Sequence, residues 1–210
     1  MKYLIMAFFL FSGSFSFAQT NFALKGGPNT STALVSVNDL KQQNQYLNGF
    51  NIGAQLETFF DNQLYFTPSI MYSRRGFSYK SSPDTSSYKY VLNYIDINPT
   101  LIFYLNKKHL EKGFAIMAGP YISVGLTGKG TSTVDNVTST QNVTYSMVSG
   151  FCSVDLGVNG GLCWKFNRFF MEAMYQYGFA NINNNVDSDG RNFQNRMISF
   201  NIGYFLTHNK

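Results

Sequence analysis

The feature that most constrains the fold is an alternation of apolar with small or polar residues, which recurs in eight stretches of the chain. In residues 89–105, Ile95, Ile97 and Phe103 fall on one face, whereas Asp96 and Asn98 fall on the other. Successive side chains of a β-strand point to opposite faces, so this period predicts strands with one apolar face. About 9–11 tilted residues span a bilayer, and strands there must close into a ring because hydrocarbon offers a bare sheet edge no hydrogen-bond partner. The pattern predicts an all-β fold: an eight-stranded antiparallel up-and-down transmembrane β-barrel.

The connections between the predicted strands alternate between short and long. The predicted strands cover residues 21–28, 48–60, 63–77, 89–105, 113–128, 146–166, 169–181 and 194–206. The short connections are 61–62, 106–112 and 167–168; the long ones are 29–47, 78–88, 129–145 and 182–193. Outer-membrane barrels have short periplasmic turns and longer outside loops. We therefore expect both chain ends to lie in the periplasm and the long loops to face outward.

The first residues predict export. Lys2 precedes an apolar run over residues 4–11, and small residues follow at 16–18, where a signal peptidase cuts. We predict a cleaved signal peptide at 1–18, one barrel domain at 19–210, and residence in the outer membrane after export. The net charge of +5 is spread through a chain that is only 13% charged. Such sparse charge cannot line a phosphate-backbone groove, so nucleic acid is not an expected partner.

A soluble eight-stranded barrel that carries a lipid is the structural alternative, because its apolar faces would also alternate with polar ones. The composition of the polar faces favours the membrane arrangement. They hold Gly, Ser, Asn, Thr and Gln with few charges, whereas a water-facing surface is usually about 25–35% charged. Several Phe, Tyr and Pro residues per strand would also overfill an eight-stranded interior.

Four segments resemble a known family. They are residues 22–27, 94–99, 118–121 and 198–205, and alanine followed by glutamine at 18–19 matches its usual cleavage point. In these segments the chain is similar to the outer-membrane β-barrel domain family of Bacteroidota, often called PorT-like. The resemblance implies an eight-stranded outer-membrane barrel and little about activity, since only some members serve protein secretion. One departure is that residues 206–210 follow the last aromatic residue, whereas insertion signals read by the barrel assembly machinery, an expected partner, more often end on one.

The predicted inward faces carry seven charged residues. Isolated charges in a narrow lumen would be costly, so we expect them to pair and to seal the barrel. Lys25 and Glu57 are predicted at similar height near the periplasmic end, and Lys165 and Glu172 flank a turn at that end. The predicted lumen network consists of Lys25, Glu57, Arg75, Asp96, Asp155, Lys165 and Glu172.

Three basic residues share the lipid-facing parity near the outer end of two neighbouring strands. They are Arg74, Lys80 and Lys89. Basic side chains at this level can contact the phosphates of lipopolysaccharide in the outer leaflet. The alternative is a solvated rim without a ligand.

No catalytic constellation is predicted, because neither His109 nor His208 shares a height with a serine on a neighbouring strand. No cofactor or metal site is expected either. We predict a non-enzymatic barrel with a sealed polar lumen, whose outward loops serve interaction, envelope support or secretion through a protein partner. The alternatives are a lipid-modifying outer-membrane enzyme and the soluble lipid-binding barrel.

Overall fold

The structure is a computed structural model that describes residues 20–37, 40–41, 43–80, 86–106, 112–145, 150–183 and 192–207. The predicted signal peptide at 1–18 lies outside the described residues, as do His109 and His208. No helix in the described ranges is long and apolar enough to cross a membrane.

The described residues form ten β-strands. In chain order they are β1 (Thr20–Val37), β2 (Leu40–Lys41), β3 (Gln43–Asp61), β4 (Leu64–Lys80), β5 (Ser87–Tyr104), β6 (Lys112–Val134), β7 (Val137–Asn142), β8 (Val154–Phe166), β9 (Phe169–Gly178) and β10 (Asn192–Phe205).

Eight of these strands close into a ring in which every neighbouring pair is antiparallel. The order is β1, β3, β4, β5, β6, β8, β9 and β10, and β10 returns to pair with β1 from Ala23↔Phe205 to Ser36↔Asn192. The short β2 and β7 lie outside the ring and pair with β1 and β6. The predicted eight-stranded antiparallel barrel is confirmed.

The apolar faces point outward. Ile97, Leu101 and Phe103 on β5 are exposed, whereas Asp96 and Asn98, on either side of Ile97, are buried in the interior. The soluble alternative, with its apolar faces inward, is therefore wrong. The outward apolar run of β5 covers ten residue steps, from 95 to 105. At about 3.3 Å per residue and a tilt of about 40°, it is about 25 Å tall, the usual height of the apolar band in an outer-membrane barrel.

The strands extend further at the outer end than the sequence predicts. β1 continues to Val37 and β3 begins at Gln43, so most of the predicted loop 29–47 is strand. Much of the predicted loop 129–145 is a hairpin of β6 and β7, whose turn residues Asp135 and Asn136 have positive φ angles of 48° and 63°. Asn and Asp tolerate this left-handed conformation better than most residues. Predicted strand 146–166 begins only at Val154 as β8, and residues 146–149 lie outside the described chain.

Candidate functional site

All seven residues of the predicted lumen network face the interior, each with at most 4% of its surface exposed. Four of them, Asp96, Asp155, Lys165 and Glu172, each lie between two apolar residues of the outward parity, as Asp96 does between Ile95 and Ile97. Charges this deeply buried need partners, because leaving water costs each of them several kcal/mol.

Two ion pairs occupy the periplasmic half of the lumen. The Lys25 ammonium lies 2.8 Å from a carboxylate oxygen of Glu172 and also donates to Gln55 at 2.6 Å. The Lys165 ammonium donates to Glu57, which lies on the opposite side of the ring. The sequence places Lys25 level with Glu57, but the ladder pairs Glu57 with Asn21. Lys165 therefore reaches across the lumen to Glu57, whereas Lys25 reaches past β10 to Glu172 on β9.

Arg75 is the centre of the second charged group. Its guanidinium lies 3.2 Å from Asp96 on the adjacent β5 and 3.7 Å from Asp155 on β8. The same group stacks 4.1 Å from the centre of the Tyr94 ring. One cation thus holds two carboxylates from different parts of the ring.

Neutral donors also bond to these carboxylates, at the oxygen of Asp96 that does not face Arg75 and at the oxygen of Asp155 that does, while Oδ1 of Asp155 accepts no hydrogen bond from the described residues. Ser73 donates to Asp96, while Asn195 at 2.8 Å and Tyr121 at 3.2 Å donate to Asp155. Such bonds to charged acceptors are among the stronger ones in proteins.

Uncharged amides bridge the strands between the two charged groups. The Asn159 amide donates to the Asn98 side-chain oxygen at 3.2 Å, and that oxygen also accepts from Gln176 at 3.2 Å. Asn51 donates to Asn201 at 2.7 Å. The interior is therefore a continuous polar network in which most side chains serve one another.

Apolar clusters close the network at both ends, a feature that the prediction of a purely polar lumen missed. The periplasmic cluster consists of Ala23, Ile102, Tyr104, Ala115, Met117, Cys163, Phe170, Met174 and Phe205. The outer cluster consists of Ala33, Val35, Phe77, Tyr79, Leu92, Tyr94, Phe151, Ile182 and Phe193. A signal for the outer cluster was present, because Phe77 and Tyr79 continue the inward parity of Arg75 on β4.

The three basic residues predicted to contact lipopolysaccharide are all exposed. Arg74 lies directly above the apolar band, beside Asn93 of β5, whereas Lys89 pairs with Ser78 and Lys80 with Ser87. Lys80 lies six residues beyond Arg74 on the same strand, about 15 Å higher at the usual tilt. The structure thus sets the three at different heights, and it brings a fourth cation, Lys129, to the wall beside Arg74.

The sequence pattern did not predict that Lys129 points outward, because a β-bulge precedes it in β6. Tyr94 pairs with Gly125 and Asn93 with Thr127, so Leu126 is an extra residue in β6. An extra residue in a strand reverses the face to which each later side chain of that strand points. Lys129 consequently points outward, although the parity of the lower half of β6 would turn it inward.

The interior contacts that the structure describes hold the polar groups of the lumen in place. In the described ranges, no three His, Cys, Asp or Glu side chains come together in a way that could hold a metal ion. Each carboxylate of the lumen network forms an ion pair with a lysine or an arginine.

A closed antiparallel ring with an apolar outer band and a polar interior defines a transmembrane β-barrel. The sequence profile of the outer membrane protein beta-barrel domain family matches residues 17–184. The chain belongs to this family, which places it in the outer membrane.

Three solved structures of outer-membrane proteins are similar at low identity. Ail of Yersinia pestis, in complex with the heparin analogue sucrose octasulfate, is 17% identical with a TM-score of 0.47, covering 90% of this chain and 99% of its own. Neisserial surface protein A is 16% identical with a TM-score of 0.44, covering 87% and 96%. OprG of Pseudomonas aeruginosa is 12% identical with a TM-score of 0.45, covering 90% and 96%. No curated protein matches the chain.

Proposed function

We propose that this protein is a non-enzymatic barrel that works through its outer surface, as a scaffold for a protein partner in envelope support or secretion. The four similar segments support its assignment to the PorT-like barrels of Bacteroidota. The single observation that carries the proposal is the filled lumen. Ion pairs and two apolar clusters occupy the interior, so the outer surface and loops are the parts left to bind a partner.

A filled lumen predicts a barrel that does not conduct. An eight-stranded barrel is only just wide enough for its own side chains. The purified protein, inserted into planar bilayers, should give no steady ion current, whereas a general porin inserted in parallel should. Regular channel openings from the wild-type protein would contradict the proposal.

The outer strand extensions are the proposed surface for the protein partner. Val137, on β7, has 71% of its surface exposed, and all six residues of β7 are exposed. A photo-crosslinking amino acid at Val137 should capture a discrete partner in intact cells, while the same label at the lipid-facing Ile116 should not. Equal labelling of many proteins from both positions, or none from Val137, would argue against a dedicated partner at this hairpin.

The absence of enzyme activity is tested by overproduction. A lipid-modifying enzyme would change the acyl or phosphate content of lipid A or phospholipid in proportion to its amount. We expect identical lipid mass spectra with and without overproduction. A new lipid species that depends on the protein would overturn the non-enzymatic proposal.

Outer-leaflet lipid is the second proposed partner. Arg74, Lys80 and Lys89 are exposed cations on the outward face, which supports contact with lipopolysaccharide phosphates. Charge reversal at all three should reduce co-purified lipopolysaccharide and lower the melting temperature of the barrel. Unchanged values for both would remove this contact.

A further inference from the structure

A surface groove of about 620 Å³ lies on the outer wall where β4, β5 and β6 leave the apolar band. Phe50, Val91 and Leu126 provide apolar walls, and Arg74 and Lys129 provide two positive charges. We call it the basic groove. It lies on the wall that faces lipid, outside the lumen, and its lining residue Val143 packs against the outer cluster.

The floor of the basic groove marks the upper border of the apolar band. Arg74, Asn93 and Thr127 are successive partners across three neighbouring strands, and all three point outward. Below them the outward residues are apolar, such as Ile95 on β5 and Val124 on β6. A side chain at this row is therefore at the level of lipid headgroups.

Polar groups of the floor satisfy one another and leave the cations available. Tyr72 donates to Asn93 at 3.0 Å, and the Asn93 amide donates to Thr127 at 2.8 Å. By contrast, the ion pairs of the described residues all lie in the lumen and include neither Arg74 nor Lys129. Two cations without an ion-pair partner among the described residues therefore lie beside this hydrogen-bonded row.

The spacing of the two cations suits a single phosphate group. Arg74 and Lys129 lie on β4 and β6, two strand spacings of about 4.8 Å apart, and Lys129 pairs with Val91, two residues above the row of Arg74. Their long side chains can converge across β5 on one anion, with the arginine offering a bidentate contact and the lysine a point charge. The bulge at Leu126 is what turns Lys129 toward this position.

We infer that the basic groove binds the headgroup phosphate of a phosphorylated glycolipid of the outer leaflet, with Arg74 and Lys129 as its ligands. This deepens, and rests on, the proposed contact with outer-leaflet lipid. The apolar walls favour a lipid over free phosphate, because acyl chains of a bound lipid would continue down the adjoining apolar band. Lys80 and Lys89 lie higher and do not line the basic groove.

The test compares lipid binding by matched variants. The full protein is purified in detergent, and its binding of lipid A carrying two phosphates is measured by native mass spectrometry. The test variant is Arg74→Gln with Lys129→Gln, which keeps hydrogen-bonding side chains of moderate length. The control is Lys112→Gln with Arg168→Gln, which removes two exposed cations at the periplasmic end. A further arm uses dephosphorylated lipid A, and another adds inorganic phosphate as competitor.

We expect the test variant to bind lipid A at least about tenfold more weakly than wild type, the effect of losing charge-assisted hydrogen bonds at a partly exposed site. The control variant should bind lipid A as tightly as wild type does. Dephosphorylated lipid A should bind to wild type as weakly as lipid A binds to the test variant. Inorganic phosphate should not compete with lipid A for wild type.

Three results would each overturn the inference: equal lipid A binding by test variant and wild type, equal binding of phosphorylated and dephosphorylated lipid, or displacement by inorganic phosphate at similar concentration. Melting in detergent without lipid shows that the variants are folded. If lipid A binding by the wild type depends only on Lys80 and Lys89, the proposed contact with outer-leaflet lipid is supported, but phosphate binding in the basic groove is refuted. Channel openings by wild type would instead overturn the filled-lumen proposal without bearing on the groove.

Discussion

Replacement of Arg75 by methionine tests the charged interior most directly, because one cation there serves two carboxylates. At 3.2 and 3.7 Å, an effective dielectric constant of about 20 gives gross attractions of about 5 and about 4 kcal/mol to Asp96 and Asp155. The net loss is smaller, since methionine no longer has to lose the hydration of a guanidinium. Breaking a buried ion pair by removing one partner costs about 3–5 kcal/mol, and we expect Arg75→Met to lower the free energy of unfolding by that amount.

The assay is reversible unfolding by denaturant in lipid vesicles, followed by the fluorescence of the single tryptophan. Trp164 points outward at the lipid-facing wall, so its emission reports the transfer of the barrel between lipid and water. Heat-modified gel mobility provides an independent readout of the folded barrel.

Two further variants make the reasoning refutable. Adding Asp96→Asn and Asp155→Asn to Arg75→Met removes the orphaned charges and should recover most of the lost stability. Arg196→Met is the matched control, because Arg196 is also buried and stacks 3.5 Å from the Tyr177 ring, yet its hydrogen bonds go to carbonyl and amide oxygens. It should cost about 1–2 kcal/mol. An Arg75→Met barrel within about 1 kcal/mol of wild type, or no recovery in the triple variant, would refute the account.

Two other predictions concern the packing of the barrel wall. A Cβ atom at Gly203 would lie 2.0 Å from the tip of the Phe170 ring. Gly203→Ala should therefore force that ring aside and destabilise the barrel by about 1–3 kcal/mol, measured by unfolding in vesicles. Adding Phe170→Leu to Gly203→Ala should recover part of the lost stability. Leu101 points outward near the middle of the apolar band, and Leu101→Arg should cost about 2–4 kcal/mol in vesicles, whereas Tyr46→Arg above the band should cost less than about 1. Similar costs for the two arginines would contradict the placement of the band.

The sequence predicted the ring because a period of two in side-chain direction is a local property of each strand. Ile97 and Asn98 reveal their faces without any knowledge of neighbouring strands. Strand ends were predicted less well, because Ser, Thr and Asn are typical both of loops and of strands that project into water. Residues 29–37 of β1 are an example.

Partners across the lumen could not be predicted in the same way. Which lysine meets which carboxylate depends on the stagger of the ladder around the ring, and a single sequence does not contain that stagger. The sequence alone could therefore not predict that Glu57 pairs with Lys165 on the opposite side of the barrel. The bulge at Leu126 is a second case. One unpaired residue in β6 determines that Lys129 points outward, and the sequence around Leu126 does not predict the bulge.

The seam between β1 and β10 has a consequence for how the barrel forms. Its pairs join residues as far apart as Ala23 and Phe205, whereas the other neighbours in the ring follow one another along the chain. Contacts between such distant residues carry the largest entropic cost, so we expect this seam to form last. The contacts Lys25–Glu172 and Asn51–Asn201 both reach over it. Before β1 and β10 pair, the ammonium group of Lys25 and the carboxylate of Glu172 would thus remain in water. The same pairing that closes the barrel brings them together as an ion pair.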